Sequence, residues 1–385
     1  MSRAFTHWAT SADLLGLRAP VHDAGTGLAG RPLGRAVRGG AFALDPFDAY
    51  AAGLITNPNV VVAGSIGAGK STVVKMVLDR ALERGRRAVV VDPKGEYADL
   101  ARAYGARPVA LGRDGWCDPL GVDDDSLVLL RSVLATARGA PLDAEEHYEL
   151  ERAWAGVGQR PSRVLAALAE RTAPALEGPS GAARSVALAV RRLTQGDLAG
   201  LFDGPGDPLD LDGELIVIDL SAQWSSQSLP LAALSAVAAA QRVASQGSLG
   251  YLVLDESWVL LQDAAAMAWL QGSWKLARAR GLCHVLVLHR FSDALAAGER
   301  DSAQRERARG LLRECETAWL FRQPPPEAAE IASALGLSVA EERLLSALAR
   351  GTALVRFGPH RSVVRVEPDA RDFGFVDTDG AMRGE

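Results

Sequence analysis

The sequence has little cysteine, very little lysine, no basic surplus and no long apolar run. Its three cysteines, at positions 117, 283 and 315, are odd in number and far apart. This excludes a disulfide framework and a zinc cluster, and it favours a reducing compartment. Acidic residues outnumber basic residues by 47 to 42. The surface as a whole therefore does not attract nucleic acid, although a local basic stripe fits within a net charge of −5.

Segments that would carry the chain into or across a membrane are also lacking. The longest nearly apolar run, residues 229–240, is too short to cross a bilayer. The first fifteen residues contain no apolar signal-peptide core. We therefore expect a cytoplasmic protein.

Lysine is scarce enough to make each one informative. Four lysines, at positions 70, 75, 94 and 275, stand against 38 arginines. Together with abundant Ala and Gly, this bias is typical of a GC-rich, bacterial genome. A lysine at a motif position is therefore hard to attribute to chance.

Short β-branched runs alternate with helical stretches along most of the chain. Nearly continuous apolar runs, typical of strands buried on both faces of a parallel sheet, occupy residues 59–63, 88–92, 215–219, 251–255 and 285–289. Their alternation with helices predicts an α/β fold with a mostly parallel sheet.

The same patterns predict the domain organisation. Residues 1–40 are expected to be a leader and edge hairpin, partly mobile, and 371–385 a tail. The α/β domain is expected to comprise residues 41–122 and 213–370. Residues 123–212 lack strand signals and predict an inserted all-helical subdomain. Residues 352–367, with a turn at 358–361, predict a C-terminal β-hairpin that closes the sheet.

One motif carries most of the functional information. Residues 64–71 fit the pattern G-x-x-x-x-G-K-[ST] directly after a predicted strand and before a predicted helix. Glycines let backbone N–H groups surround phosphate oxygens, the lysine reaches the β- and γ-phosphates, and the hydroxyl holds Mg²⁺. A glycine-rich turn with an exposed lysine is the simpler alternative. The expected nucleotide-binding residues are Gly64, Ser65, Gly67, Ala68, Gly69, Lys70, Ser71 and Thr72.

Polar residues follow three other predicted strands. The strand ending in Asp255-Glu256 is expected to supply a magnesium-binding carboxylate, Asp255, together with Ser71, and a catalytic carboxylate, Glu256, that polarises water. Glu96 follows the second strand and is expected to assist water activation or to contact a neighbouring subunit, and Lys94 in the same turn is expected to meet substrate or phosphate. An ordinary polar turn with a Lys–Glu pair is the alternative. His289 ends another strand and is interpreted either as a γ-phosphate sensor or as a capped strand end.

Two arginines precede that last strand. Arg278 and Arg280 are expected either to complement a helix terminus or to act as an arginine finger in a neighbouring subunit's site.

Seven stretches, in order, resemble one family: NPNVVVAGSIGAGKST, VVVDPKGEY, CDPLG, VIDLSAQ, LVLDESWVLL, ARARGLCHVLVLHRFSD and ETAWLFRQP. They are similar to the TraC-like, VirB-type ATPases of conjugation and type IV secretion, within the HerA–FtsK division of P-loop motors. The resemblance runs from about residue 42 to residue 366. The Trp258 after Asp255-Glu256-Ser257 and the element Asp92-Pro-Lys-Gly-Glu96 are its more specific marks.

The resemblance implies a RecA-like P-loop NTPase core that hydrolyses ATP with Mg²⁺. It also implies a homo-oligomer, a hexamer, that powers pilus assembly or substrate transfer with membrane-associated secretion or conjugation components at the inner face of a bacterial membrane. Lys70 and Ser71 match the family's nucleotide-binding positions, and Asp255 and Glu256 match its hydrolysis positions. Where the family carries Thr-Gln or Ser-Gln at the sensor, this chain has His289-Arg290.

Two other functions remain open on the sequence. A DNA translocase nearer to HerA or FtsK would use Arg-rich helices, such as the one with Arg191-Arg192, so DNA is a possible partner. A nucleotide-binding scaffold with weak hydrolysis would explain the altered sensor pair His289-Arg290.

Overall fold

The computed structural model describes residues 26–120, 124–157, 164–179, 181–195, 198–203, 207–224, 228–244, 249–276, 278–290, 292 and 303–376. Most of the predicted leader and most of the predicted tail lie outside the described residues.

Short strands recur along the chain, and most of them are buried. In chain order they are β1 (Gly34–Ala36), β2 (Ala41–Phe42), β3 (Val60–Ala63), β4 (Arg87–Asp92), β5 (Val109–Ala110), β6 (Leu215–Asp219), β7 (Gly250–Leu254), β8 (Leu282–Leu288), β9 (Thr317–Phe321), β10 (Thr352–Phe357) and β11 (His360–Val366).

Helices connect the strands and fill the region between β5 and β6. They are α1 (Pro46–Ala51), α2 (Lys70–Leu82), α3 (Ala98–Ala103), α4 (Asp124–Arg138), α5 (Ala144–Trp154), α6 (Val164–Thr172), α7 (Ala182–Thr194), α8 (Leu229–Ala244), α9 (Trp258–Gln262), α10 (Ala264–Leu276), α11 (Ala303–Arg313), α12 (Pro325–Leu335), α13 (Val339–Ala347) and α14 (Phe373–Val376).

All these strands form one sheet in the order β2-β1-β11-β10-β9-β3-β8-β7-β4-β6-β5. From β9 to β5 the neighbouring strands are parallel, and from β9 to β2 they are antiparallel. The prediction of a mostly parallel α/β fold with a C-terminal hairpin is confirmed. The expectation that this hairpin closes the sheet is wrong, because β1 pairs with β11 and continues the sheet to β2.

The five predicted strands appear with ends shifted by at most a few residues, whereas β5 and β9 were not among them. The central strand β3 lies between β8 and β9. β9 is a five-residue run, and periodicity alone does not distinguish so short a run from part of a buried helix.

The strands are buried on both faces, so alternate side chains enter two cores. Val61 and Val89 belong to the core that also contains Leu130 of α4 and Leu165 of α6. Val62 belongs to the other core, with side chains of the helix α2. On one side of the sheet α8 contacts β4 and β7, and the four helices α4–α7 belong to the same core; α2 covers the other side.

The predicted limits of the helical subdomain, 123–212, stay a prediction, although α4–α7 lie within them. Among the described helices, none combines the length and apolar character needed to span a bilayer. The apolar run at 229–240 is part of α8, whose described side chains are mostly buried in the core.

Candidate active site

The loop of residues 64–69 connects β3 to α2 at the carboxyl end of the parallel strands. The backbone N–H of Gly64 donates to Leu288 O at 3.2 Å, and that of Ser65 donates to Arg322 O at 3.0 Å, so the loop is fixed to β8 and to the end of β9. Gly69 has φ 114°, in the left-handed region that favours glycine. Because the first turn of α2 has N–H groups without intrahelical partners, this loop can receive an anion.

Lys70 is the first residue of α2 and is only 3% exposed. Its Nζ donates to the carbonyls of Gly64, at 2.7 Å, and Ser65, at 3.1 Å, so the ammonium group lies over the loop. Burial lowers the pKa of Lys70 to about 8, although the negative charges of Asp255 and Glu256 oppose this shift. The carboxylates near Lys70 thus do not fully offset the cost of burying its charge. The negative charge of a bound phosphate would stabilise the charged form.

A second loop, residues 92–97, brings two further charged side chains to the same cleft. The carboxylate of Asp92 accepts hydrogen bonds from the backbone N–H groups of Lys94 (3.1 Å), Gly95 (2.8 Å) and Tyr97 (3.0 Å). This Asx-type turn fixes the loop, and Lys94 and Glu96 line the cleft with Lys70. The Ser71 hydroxyl donates to Glu96 Oε2 at 2.8 Å, which ties the loop to α2.

Glu256 lies at the end of β7 and is 2% exposed. Its φ is 51°, and it alone has a positive φ among the described non-glycine residues. Its Oε1 contacts Lys94 Nζ and His289 Nε2, and its Oε2 accepts from Trp258 Nε1 at 2.6 Å. Burial favours a raised pKa, but the contacts with His289 and Lys94 outweigh it and lower the pKa of Glu256 to about 2. A strained backbone at a buried charge is typical of functional sites.

Three comparisons relate the sequence and the fold of this chain to known proteins. A family model described as the central domain of the helicase HerA matches residues 55–150. VirB4 of Thermoanaerobacter pseudethanolicus superposes with a TM-score of 0.77 over 90% of this chain and 98% of that chain, at 22% sequence identity. The fold is that of VirB4.

The plasmid coupling protein TrwB is similar as well. Its complex with ADP and Mg²⁺ superposes with a TM-score of 0.52 at 17% identity, covering 81% of this chain and 86% of that one. Its complex with a non-hydrolysable ATP analogue gives 0.54 at 18% identity, covering 81% and 85%. No curated protein sequence matches the chain. The expected RecA-like P-loop fold is confirmed by these superpositions.

The VirB4 fold brings most of the expected site residues to one cleft. The residues that line it, loop and strand ends together, include Gly67, Gly69, Lys70, Ser71, Thr72, Glu96 and His289. Asp255 and Glu256 lie just behind that lining, buried at the end of β7.

Arg278 and Arg280 lie elsewhere in this VirB4-like fold. They occupy the turn before β8, at the amino ends of the parallel strands, whereas His289 and the phosphate loop lie at the carboxyl ends. They are therefore not residues of their own chain's cleft, and an arginine-finger role in a neighbouring subunit stays a prediction.

A magnesium ion fits the oxygen atoms available here. Burial, reinforced by the charges of Glu96 and Asp92, raises the pKa of Asp255 to about 7, and a bound cation would favour the ionised form of this carboxylate. Carboxylate and hydroxyl oxygens are the ligands Mg²⁺ prefers, usually with water and phosphate completing its shell. Asp255 and Ser71 would hold the ion. Among the described residues no cluster of three or more His, Cys, Asp or Glu side chains forms a protein-only metal site.

Arg350 and Trp224, at or beside the VirB4-like cleft, received no role from the sequence, whereas Lys94 was expected there to meet substrate or phosphate. Lys94 contacts Glu256, and Arg350 lines the cleft beside the phosphate loop. Trp224 packs edge-to-face on Trp258, with ring centroids 6.4 Å apart. Lys94 stands out in the sequence because the chain has only four lysines and this one follows a predicted strand. The positions of Arg350 and Trp224, in contrast, depend on the tertiary fold.

Proposed function

We propose that the chain is a Mg²⁺-dependent ATPase that acts as an oligomeric motor of a conjugation or type IV secretion apparatus. The observation that carries the proposal is the phosphate loop with Lys70 and Ser71 facing the strand-end carboxylates Asp255 and Glu256, within a fold shared with VirB4. The complexes of TrwB with ADP and Mg²⁺ and with an ATP analogue support a nucleotide at this cleft.

The chemistry follows from positioning and charge. The loop N–H groups and Lys70 bind the phosphates, and Lys70 exchanges its carbonyl partners for phosphate oxygens. Bound Mg²⁺ would neutralise developing charge on the transferred phosphoryl group. Glu256 orients the attacking water and accepts its proton as the water attacks. His289, at the end of β8, is placed to respond to the terminal phosphate.

The proposal is tested by ATP turnover as a function of protein concentration, for wild type, Lys70→Ala and Glu256→Gln. We expect Lys70→Ala to lose nucleotide binding and turnover. Glu256→Gln should retain binding and lose turnover, because the amide still fills the site but does not accept a proton.

Two matched variants serve as controls for these substitutions. Lys275→Ala removes an exposed lysine of α10, and Glu145→Gln changes an exposed glutamate of α5. Both should keep wild-type turnover. Full activity of Lys70→Ala or Glu256→Gln would contradict the assignment of the site.

An oligomer with a shared site is part of the proposal. A neighbouring subunit's Arg278 or Arg280 would enter the cleft, so turnover per subunit should rise with protein concentration. Turnover independent of concentration would count against this arrangement. The partners would be further copies of this chain and membrane-associated components of the apparatus.

A DNA translocase is a second candidate, favoured by the HerA family match over residues 55–150. Stimulation of ATP turnover by DNA that falls steeply with salt would favour it, because Arg contacts to phosphates release counterions. Turnover that is equal with and without DNA would favour the secretion motor.

A scaffold with weak hydrolysis is the third candidate. It is supported by the His289-Arg290 pair and by the contact of His289 with Glu256. Tight ATP binding without turnover at any protein concentration would favour it over both motors.

A further inference from the structure

The side chain of Lys94 lies between the cleft and Glu256. Lys94 and His289 line the cleft, with side chains 28% and 19% exposed, whereas the Glu256 side chain behind them is 2% exposed. The three residues come from the ends of β4, β7 and β8, which are neighbours in the sheet. A water molecule in the cleft therefore meets Lys94 and His289 before it meets Glu256.

Both oxygens of Glu256 are engaged in this arrangement. Oε1 contacts Lys94 Nζ and His289 Nε2, and Oε2 accepts a hydrogen bond from Trp258 Nε1. Oε1 already has two partners, so it must exchange one of these contacts before it can orient a water. The arrangement described here is therefore a closed state of the proposed water-activating residue.

Lys94 is the member of this group best able to move. Its Nζ lies 2.9 Å from His289 Nε2 and 5.4 Å from the centre of the Trp224 ring, so it is held by a carboxylate, an imidazole and an aromatic face. Its long, partly exposed side chain allows its ammonium group to move by several ångströms without any movement of the backbone. Lys70, in contrast, is 3% exposed and already occupies the loop carbonyls.

We propose that Lys94 is a positioning residue that holds Glu256 closed until the terminal phosphate of a nucleoside triphosphate draws its ammonium group into the cleft. The proposal rests on the proposed ATPase function. A terminal phosphate carries more negative charge than the single carboxylate of Glu256, and Lys94 already lines the cleft in which it would lie. Its departure frees Oε1 for water, so closure is released only by a nucleotide that has a third phosphate.

The neighbouring tryptophans give a readout that does not depend on turnover. Movement of Lys94 removes a cation from the Trp224 ring and changes the surroundings of Trp258, which donates to Glu256. We expect tryptophan emission of the full-length chain to change with a non-hydrolysable ATP analogue and Mg²⁺, but not with ADP and Mg²⁺. Trp224→Phe should remove most of the analogue-specific change.

The decisive variant is Lys94→Met, which keeps a flexible, unbranched side chain only one atom shorter and removes its charge. It should lose the analogue-specific emission change and bind the analogue about tenfold more weakly, with affinity for ADP changed less than twofold, since one charge-assisted contact is lost. Lys94→Arg should keep the emission change. Lys275→Met, on the exposed face of α10, is the matched control and should behave as wild type.

The possible outcomes separate this inference from the proposed function. Equal emission changes with ADP and the analogue in wild type, or an unchanged analogue response in Lys94→Met, would overturn the role of Lys94 and leave the ATPase assignment intact. Failure of wild type to bind either nucleotide would overturn both. If Lys94→Met does not fold, the wild-type comparison of ADP with the analogue still decides.

Discussion

Two clusters of buried charge lie at opposite ends of α2, and they are balanced differently. The cleft cluster contains Lys70, Lys94, Glu96, Asp255 and Glu256. The rear cluster joins the last turn of α2 to the segments just before β1 and just before α14. It contains Arg31, Asp79, Arg80 and Asp372.

In the rear cluster every carboxylate has several donors. Asp372 is 0% exposed and accepts from Arg80 Nη2 at 2.6 Å, from Arg31 Nη2 at 3.3 Å and from the backbone N–H of Asp369 at 2.9 Å. Burial favours a raised pKa for Asp372, but the hydrogen bonds with Arg80 and Asp369 outweigh it and lower the pKa. The cluster is complete without any ligand.

In the cleft cluster, burial dominates at two positions. It lowers the pKa of Lys70 to about 8 and raises that of Asp255 to about 7, so both groups favour their neutral forms more than usual. The comparison teaches that buried charge alone does not identify a functional site. The distinguishing feature is charge that the protein's own groups leave poorly balanced and that phosphate and Mg²⁺ would balance.

The largest effect is expected from Asp255→Asn in the cleft. Turnover should fall at least about a hundredfold, because the ligand of the metal and the charge at the reacting phosphate are altered. The nucleotide-free protein should become more stable at pH 8, by about 2 kcal/mol, since a buried carboxylate no longer has to ionise. ATPase assays and urea unfolding measure the two effects.

The sign of the stability change follows from the pKa. The folded protein retains the Asp255 proton up to about pH 7, whereas the unfolded chain loses it near 3.8, so this group's contribution to stability falls as pH rises between these values. Asp219→Asn, at the end of the parallel strand β6 on the far side of β4 from β7, is the matched control and should leave turnover unchanged. A loss of stability in Asp255→Asn at pH 8 would remove the contrast between the clusters.

Asp372→Asn should have the opposite pattern. It leaves Arg80, which is 7% exposed, without its main counter-charge, and the free energy of unfolding should fall by about 3 kcal/mol. ADP affinity should be unchanged at temperatures where the variant is folded. Urea unfolding and equilibrium nucleotide binding measure these, and a stable variant with altered ADP affinity would show that the rear cluster is not purely structural.

The sequence predicts the cleft far better than the rear cluster. The phosphate loop is a contiguous pattern, so Lys70 and Ser71 could be placed at the start of a helix from local spacing. Arg31 and Asp372 are 341 positions apart, and no local pattern relates them. Their contact depends on how β1, α2 and the segment before α14 meet, which is a property of the whole fold.

Strand polarity explains which of the expected site residues meet at one edge of the sheet, while their roles stay predictions. The carboxyl ends of β4, β7 and β8 were expected at one edge, and Glu96, Glu256 and His289 lie there. That Lys94 touches both Glu256 and His289 requires the strand order β8-β7-β4, which the order along the chain does not show. Arg278 and Arg280 precede β8, so the same polarity could have placed them at the opposite edge.

A third type of buried group, a neutral histidine, gives a smaller effect. His284 is fully buried, stacks on Trp274 with ring centroids 4.3 Å apart, and has Asn59 Oδ1 3.3 Å from its Nδ1. Burial, aided by Arg280, lowers its pKa to about 3. Below pH 6.5 the unfolded chain binds a proton that the folded protein does not, so stability should fall by about 2 kcal/mol from pH 6.5 to pH 5.

Other groups also titrate in this range, so the informative quantity is the difference between wild type and His284→Phe. Phenylalanine keeps the stacking on Trp274 and does not titrate. Its stability should therefore decline less between pH 6.5 and pH 5, as measured by urea unfolding at each pH. Parallel pH profiles for the two proteins would contradict the assignment of a neutral, buried imidazole.

The smallest effect is expected for an exposed ion pair. It tests whether the pairing of charges or their burial determines the stability change predicted for Asp372→Asn. Arg131 of α4 contacts Glu151 of α5, with side chains 33% and 52% exposed. Water and salt screen such a pair, so Glu151→Gln should lower the free energy of unfolding by less than about 1 kcal/mol. Asp372→Asn, measured in parallel, changes one carboxylate in the same way but at full burial. Equal losses of stability in the two variants would mean that burial does not make the ion pairs of the rear cluster stronger than an exposed pair. The rear cluster and the cleft would then differ only in their ability to bind a ligand.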